Sequence, residues 1–384
     1  MKIVQVTPAF PPSALGGVSH HAELISGGLV SRGHTVRVAT TNRYDFRQVM
    51  SFWGFKNRNG LQIYYAKAHW PGQYFFAPDI AKVLSAWIPR AEIVHIHLTR
   101  TFVGVVAQAI ARNAGVPYVL TCHGSLNPKV GNTTLKMLHD VLVGRGLAEN
   151  AARIIAVSEK ERDGIVKLGI ERSRVVVVPN AVPPSANYEQ SQPAERPSPS
   201  YQGRRVLYLG RVHGLKGIDR LIRAFALLGS DSTGVELAIA GQDFGAVRKL
   251  AKEAEKLGIS NQVRFLGPAF GEEKQALLRN SGVLVLPSRY EVFGLVILEG
   301  LAAGIPLVVT RECGMSEELD AAGAALVVSS TEEMARAMRL CLEDQDLRIR
   351  LRTNGFRFLN SQYNWNEALD RLIAVYSEIA ANRV

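Results

Sequence analysis

The stretch Glu291-Val292-Phe293-Gly294-Leu295-Val296-Ile297-Leu298-Glu299-Gly300-Leu301-Ala302-Ala303-Gly304-Ile305-Pro306-Leu307-Val308-Val309 decides the fold. It reads as a turn, an apolar helix and a wholly apolar strand, Pro306 to Val309. A strand with no alternation between faces is covered by helices on both sides, as in a parallel sheet. From Leu295 to Val309 the only charge is Glu299. Desolvating a lone carboxylate costs roughly several kcal/mol, so Glu299 needs either a protein cation or the hydroxyls of a ligand. Glu291, in the turn before the helix, brings a second carboxylate to the same end, with the amides of Phe293, Gly294 and Leu295 between the two. A plain N-terminal helix charge is the alternative for Glu291.

The same pattern repeats outward in both directions. Apolar runs at Lys2–Thr7, Thr35–Thr40, Glu92–His97, Tyr118–Cys122, Arg153–Val157 and Arg174–Val178 alternate with helical periods such as Val18–Ser31 and Thr101–Asn113. A second series follows at Arg204–Leu209, Glu236–Ala240, Val263–Leu266, Val283–Leu286, Pro306–Val309 and Ala325–Val328. Between the two series, Pro183 to Ser200 hold five of the 17 prolines and no apolar period. The expectation is α/β: two doubly wound domains, residues 1–185 and 204–360, a linker at 186–203, and a final helical segment at 361–384. In that segment Trp365, Leu369, Leu372, Ile373 and Tyr376 share one face. Tyr44 to Phe76 breaks the rhythm, holding 11 of the chain's 29 aromatics among Arg43, Arg47, Lys56, Arg58 and Lys67.

With 384 residues, 47% of them hydrophobic and 21% charged, the chain can fill two cores, which excludes a small stapled protein or a disordered one. The start lacks the basic and apolar regions of a signal peptide, and no apolar run reaches the ~18 residues of a bilayer span. Cys122, Cys313 and Cys341 read as reduced thiols, so a cytoplasmic location is expected. The net charge of +11 is unevenly placed: Met1 to Ser185 carries 21 basic and 10 acidic residues, and the rest of the chain is balanced. Such a surplus suits an anionic substrate, the anionic inner face of a membrane, or nucleic acid. A basic nucleic-acid-binding protein is disfavoured, because the chain has no zinc finger, basic zipper or RNP-type aromatic motif.

Parallel sheets bind ligands beyond the carboxyl ends of their strands, so the residues after each strand carry the chemistry. After Arg205–Leu209 comes Gly210-Arg211-Val212-His213-Gly214-Leu215-Lys216-Gly217, then a helix. A guanidinium fork, an ammonium and a helix N-terminus can together meet a diphosphate. Gly16-Gly17 open the first helix, where a phosphate can approach backbone amides or the chain simply turns tightly. GxGxxG is absent there, which argues against a nicotinamide or flavin enzyme. His123 follows the strand ending at Cys122 and suits a hydrogen bond to a sugar hydroxyl or a structural role equally. His95 and His97 share a strand face with no third ligand at metal spacing, so hydrogen bonding is expected of them.

Taken in order, Gly16-Gly17, His123-Gly124, Val178-Pro179-Asn180-Ala181-Val182, Gly210-Arg211 with Lys216-Gly217, and Glu291 and Glu299 with seven residues between them resemble the retaining glycosyltransferases of family 4, over nearly the whole chain. The resemblance implies a GT-B fold: two Rossmann-like domains facing across a cleft, the final helix crossing back to the first. It implies that Arg211 and Lys216 bind the diphosphate of a nucleotide sugar, that Glu299 binds the ribose, and that Glu291 lies near the sugar hydroxyls. It also implies that Phe293, Gly294 and Leu295 line the donor site, that His123 is the active-site histidine, and that Gly16 and Gly17 meet the phosphates. The expected reaction moves a hexosyl group from a UDP- or GDP-sugar to a glycan or lipid-linked acceptor, with no cofactor or metal. A GT-B nucleotide-sugar epimerase or hydrolase is the alternative. The sequence departs from the family at Cys313-Gly314-Met315-Ser316-Glu317-Glu318, where a glycine is replaced by Cys313 and the distal glutamate is unassigned between Glu317 and Glu318.

Overall fold

The computed structural model describes residues 1–13, 15–45, 48–69, 75–126, 145–182, 204–229, 234–291 and 293–382, so the expected linker at 186–203 lies outside the described residues. The chain forms two compact units, one of Met1–Asn180 with Asn366–Val384 and one of Ala181–Trp365.

The first unit is built on strands β1 (Lys2–Val6), β2 (Thr35–Thr41), β3 (Gly54–Arg58), β4 (Leu61–Ala66), β5 (Ile93–His97), β6 (Tyr118–Thr121), β7 (Arg153–Ala156) and β8 (Val175–Val177). Their order is β3-β4-β2-β1-β5-β6-β7-β8. All neighbours are parallel except β3 and β4, an antiparallel hairpin inside the aromatic segment. Asn59 and Gly60, at its tip, both have positive φ, 50° and 76°, as a two-residue hairpin turn demands. The strands are apolar because helices cover them: Ile96, Leu120 and Ile154 pack with Leu84, Val103 and Ala107 in one fully buried cluster.

The chain's end closes this unit. Helix Trp365–Ala381 buries Leu369, Leu372 and Tyr376, and also Val375 and Ile379, while Trp365 and Ile373 are only partly covered. Arg32 bonds Asp370 at 2.8 Å, and Arg153 pairs with Glu378.

The second unit carries β9 (Arg205–Leu209), β10 (Glu236–Ala240), β11 (Val263–Gly267), β12 (Val283–Leu286), β13 (Leu307–Thr310) and β14 (Leu326–Val328), in the order β11-β10-β9-β12-β13-β14 and all parallel. Helix Gln345–Gln362 belongs to this unit. In both sheets the chain winds outward one way and then returns to wind the other way. The switch points are β1/β5 and β9/β12, where such sheets hold ligands.

At β9/β12 the backbone is packed to contact. A Cβ on Gly217 would sit 1.9 Å from the Pro287 carbonyl oxygen, and one on Gly241 would sit 1.7 Å from that of Gly210. Gly217 also has φ 65°. Gly258 has a similar φ of 73° but nothing within 4 Å of its Cβ position. Both Gly→Ala changes therefore carry left-handed strain of ~1–2 kcal/mol, and only Gly217→Ala adds the collision. Chemical denaturation should show Gly217→Ala at least ~2 kcal/mol less stable than Gly258→Ala; equal losses would mean that the close approach does not constrain the fold.

Candidate functional site

In the second unit, the chain leaves β9 through Gly210, and the Tyr208 hydroxyl donates to the Arg211 carbonyl at 2.8 Å, fixing the turn. Arg211 is exposed, its guanidinium 5.7 Å from the centre of the Phe244 ring, an aromatic platform that holds the cation in place. One 3₁₀ turn, Gly214–Lys216, then delivers Lys216 to the start of helix Ile218–Ala226, whose first amides point the same way. Arg289 braces this turn: it donates to Gly214 O at 3.0 Å and grips Asp219 through two bonds of 2.7 and 2.6 Å. That fork holds the Asp219 carboxyl below the usual carboxylate range despite its burial.

Lys216 forms an ion pair with Glu291, both largely buried. Glu291 is held by its backbone in a parallel bridge to Cys313, with Gly314 N–H donating to Glu291 O at 2.8 Å. Cys313, the residue that departs from the family pattern, is fully buried in that bridge. Phe293 is buried against Tyr363, and Gly294, with φ 78°, opens helix Leu295–Ala303. Glu299, 10% exposed, bonds Lys274 of helix Gly271–Arg279 at 2.7 Å. Lys274 is the protein cation that the sequence required as one partner for Glu299. The Lys216–Glu291 pair thus stands at the glycine turn, and the Lys274–Glu299 pair joins helices Gly271–Arg279 and Leu295–Ala303: donors suited to an anion and acceptors suited to hydroxyls.

An Asp-x-Asp triplet, Asp344-Gln345-Asp346, lies at the start of helix Gln345–Gln362. Asp344 caps that helix, accepting from Leu347 N–H at 2.8 Å, and Asp346 lies in its first turn.

In the first unit, Gly16 has φ 87° and caps helix Gly17–Ser31, a conformation that disfavours any side chain. His123 has φ 48°, and its turn is clamped by Glu161. One Glu161 oxygen accepts from Gly124 N–H at 2.5 Å and the other from Val157 N–H at 2.8 Å. Burial raises the Glu161 pKa against the pull of those two bonds. His95 and His97 hydrogen-bond within the core: His95 to Tyr376 at 2.5 Å and Thr121 at 2.7 Å, His97 to Gln5 at 2.8 Å and His123 at 3.2 Å.

The third imidazole that spacing did not reveal is His21, from helix Gly17–Ser31. His21, His97 and His123 bring one ring nitrogen each within 4.8 Å of one another. Burial, then His20, pulls His21 down to about 3. Burial likewise drives His95, His97 and His123 well below the ordinary histidine value, with the neighbouring imidazoles adding to it.

The basic and aromatic residues of the first unit divide in two. Arg43 is buried and donates to His69 O at 2.9 Å, and Arg58 pairs with Glu23, so neither is a free surface cation; Arg47 lies outside the described residues. Trp53 and Phe55 are more than half exposed beside edge strand β3. Lys67 lies over the Trp53 ring at 5.0 Å and Lys56 over the Phe52 ring at 5.1 Å. Among the described residues no helix is long and apolar enough to cross a membrane.

Comparison with known proteins agrees with this geometry. Residues 16–181 match the family described as Glycosyl transferase 4-like domain, and residues 193–358 match Glycosyl transferases group 1. The chain is 26% identical to an uncharacterized glycosyltransferase of Methanocaldococcus jannaschii, covering 98% of each chain. It is 27% identical to the glycogen synthase of Mycobacterium tuberculosis, covering all of this chain and 95% of the other. Among solved structures, Anabaena HepE in complex with UDP-glucose superposes with a TM-score of 0.77 at 19% identity, over 98% of this chain and all of the other.

The histidine cluster sets an acid limit on stability. Its members have folded pKa values below the unfolded value of about 6.5, so below that pH the unfolded chain binds the protons that the folded chain refuses. Stability is therefore complete above about pH 6.5 and falls as the pH drops toward the folded values. Between pH 6 and 5 the unfolding free energy should fall by roughly 4 kcal/mol, the uptake of about three protons, and a fall below about 1.4 kcal/mol, one proton, would contradict the burial of neutral imidazoles.

Proposed function

The chain belongs to the group 1, family 4-like glycosyltransferases of GT-B fold, retaining enzymes that use nucleotide sugars, and on that premise we propose that it moves a hexosyl group from a UDP- or GDP-sugar to a hydroxyl of a lipid-linked glycan acceptor at an anionic membrane surface. The observation that carries the donor half is the convergence of Lys216, Glu291 and the Gly210–Gly217 turn at the β9/β12 switch point. In this reading the diphosphate takes Lys216 from Glu291, with Arg211 beside it, and the freed Glu291 carboxylate accepts hydroxyls of the sugar. Glu299, oriented by Lys274, binds the ribose. Negative charge grows on the departing diphosphate as the glycosidic bond breaks, and fixed cations and helix amides stabilise that charge with little reorganisation. His123 contacts the transferred sugar. The amides of Gly16 and Gly17 are assigned to the phosphates.

The acceptor half is supported by the surplus of basic residues before Ser185 and by the exposed pair Trp53 and Phe55 with Lys56 and Lys67. Aromatic rings favour the lipid interface, and each nearby cation adds about 1 kcal/mol on an anionic leaflet. The patch suits docking on the membrane face where a lipid-linked acceptor is held.

Thermal shift against UDP, GDP and ADP identifies the donor nucleotide: at 100 times its dissociation constant the right one should stabilise by ~2.7 kcal/mol. Lys216→Ala and Glu299→Ala should each lower transferase efficiency about ten- to a hundredfold while the protein stays folded, and wild-type turnover in either would remove that residue from the donor site. Flotation with liposomes tests the surface. The enzyme should rise only with anionic vesicles, less at high salt, and less still when Trp53, Phe55, Lys56 and Lys67 are all replaced by Ser; flotation independent of lipid charge, or none, would leave a soluble glycan as the acceptor.

A further inference from the structure

The buried hydrogen bonds of the first unit form one continuous chain from the C-terminal helix to His123, and they have a direction. The Tyr376 hydroxyl meets His95 Nδ1 at 2.5 Å. The Gln5 amide nitrogen, which can only donate, faces the same hydroxyl at 3.5 Å, so the Tyr376 oxygen accepts there and its own proton goes to His95 Nδ1. His95 then keeps its proton on Nε2 and donates it to Thr121 Oγ1 at 2.7 Å. With its amide nitrogen on Tyr376, Gln5 has its carbonyl oxygen left facing His97 Nε2 at 2.8 Å. A carbonyl cannot donate, so His97 Nε2 carries the proton. In a neutral ring His97 Nδ1 is then bare, and it accepts from His123 Nε2–H at 3.2 Å.

We propose that Gln5, His97 and Tyr376 are positioning residues that lock His123 in the Nε2–H form, leaving its Nδ1 as a fixed acceptor for a hydroxyl of the transferred sugar. The proposal rests on the reading of His123 as the residue that contacts that sugar. It gives the last helix a direct part in the active site: Tyr376 is fully buried, 371 positions from Gln5 in the chain, and fixes the orientation of the amide that sets the histidine. An imidazole free to exchange tautomers would offer a donor to the same hydroxyl part of the time. The locked ring always offers a lone pair, which selects an O–H of the substrate pointing toward it. Gln5 thereby explains a buried polar residue in the middle of β1, a strand that is otherwise apolar from Ile3 to Val6.

The test uses the full chain labelled with ¹⁵N-histidine, the His123 signals being identified by their loss in His123→Gln. Long-range ¹H–¹⁵N spectra should show His123 with a protonated Nε2 and a bare Nδ1. Gln5→Glu keeps an acceptor for His97 and should keep that pattern. Gln5→Met and Tyr376→Phe should replace it with exchange-averaged nitrogens and lower kcat about tenfold, with the affinity for the nucleoside diphosphate unchanged. Tyr376→Phe, which loses one oxygen, serves if a charged or apolar residue at position 5 prevents folding. A protonated Nδ1 on His123 in the wild type overturns the proposal, as does an unchanged His123 spectrum in Tyr376→Phe. A stoichiometric metal found by elemental analysis and bridging His97 and His123 overturns it too. The spectra need no sugar, so failure of every nucleotide to bind would sink the donor reading and leave the tautomer result to stand or fall separately.

Discussion

A side chain on Gly217 would overlap the carbonyl of Pro287, and that backbone contact is the constraint on which the second unit depends. It forces the chain after β9 and the chain after β12 to share one point in space, with no side chain between them. Lys216 is the residue before the contact and Glu291 lies four positions after it, so the two meet as a consequence. Gly241 against Gly210 does the same on the β10 side. The turn that results carries Arg211 on its exposed side and Lys216 against Glu291, with a helix start directly behind, and Arg289 holds it in place through Asp219. Charge placed by backbone contact in this way needs little rearrangement when an anion arrives, which is the condition under which electrostatic stabilisation of a leaving group is most effective.

The first unit solves its own switch point differently. At β1/β5 it buries polar side chains, Gln5, His95, His97, Thr121 and Tyr376, and satisfies them with one another. Such a network is costly unless nearly complete, because each unpaired buried group costs ~1–3 kcal/mol. His21 Nδ1, buried without a hydrogen bond, lies beside His123. The network also explains why the chain returns to this unit after finishing the second. Tyr376 supplies the hydroxyl that completes the hydrogen bonding of β1 and β5, so the C-terminal helix is part of the interior of the first unit.

Most of the fold was legible because the strands are covered on both faces and therefore apolar throughout. The hairpin of β3 and β4 escaped because its residues, Gly54-Phe55-Lys56-Asn57-Arg58, are mostly exposed and polar, and only Asn59-Gly60 carried a signal, a turn dipeptide between strand-length runs. For the site, residues joined by the chain were readable and residues joined by the fold were not. Glu299 announced that it needed a partner, but Lys274 is just another cation on an amphipathic helix until the helices pack. Glu161 reads as a first-turn helix charge, and only the structure shows it holding the turn at His123. Arg43 looked like a surface cation because charged residues usually are; the aromatic segment around it folds over its guanidinium.

In the proposed donor site the turn after β9 and the segment from Glu291 to Glu299 together bind a nucleoside diphosphate. Hydrogen–deuterium exchange of the full chain, with and without saturating UDP and then GDP, tests it most directly. One of the two nucleotides should slow exchange at residues 210–218 and 291–299 and leave β3 and β4 unchanged. Protection confined to other segments, or no protection from either nucleotide, would mean that these residues do not bind the diphosphate.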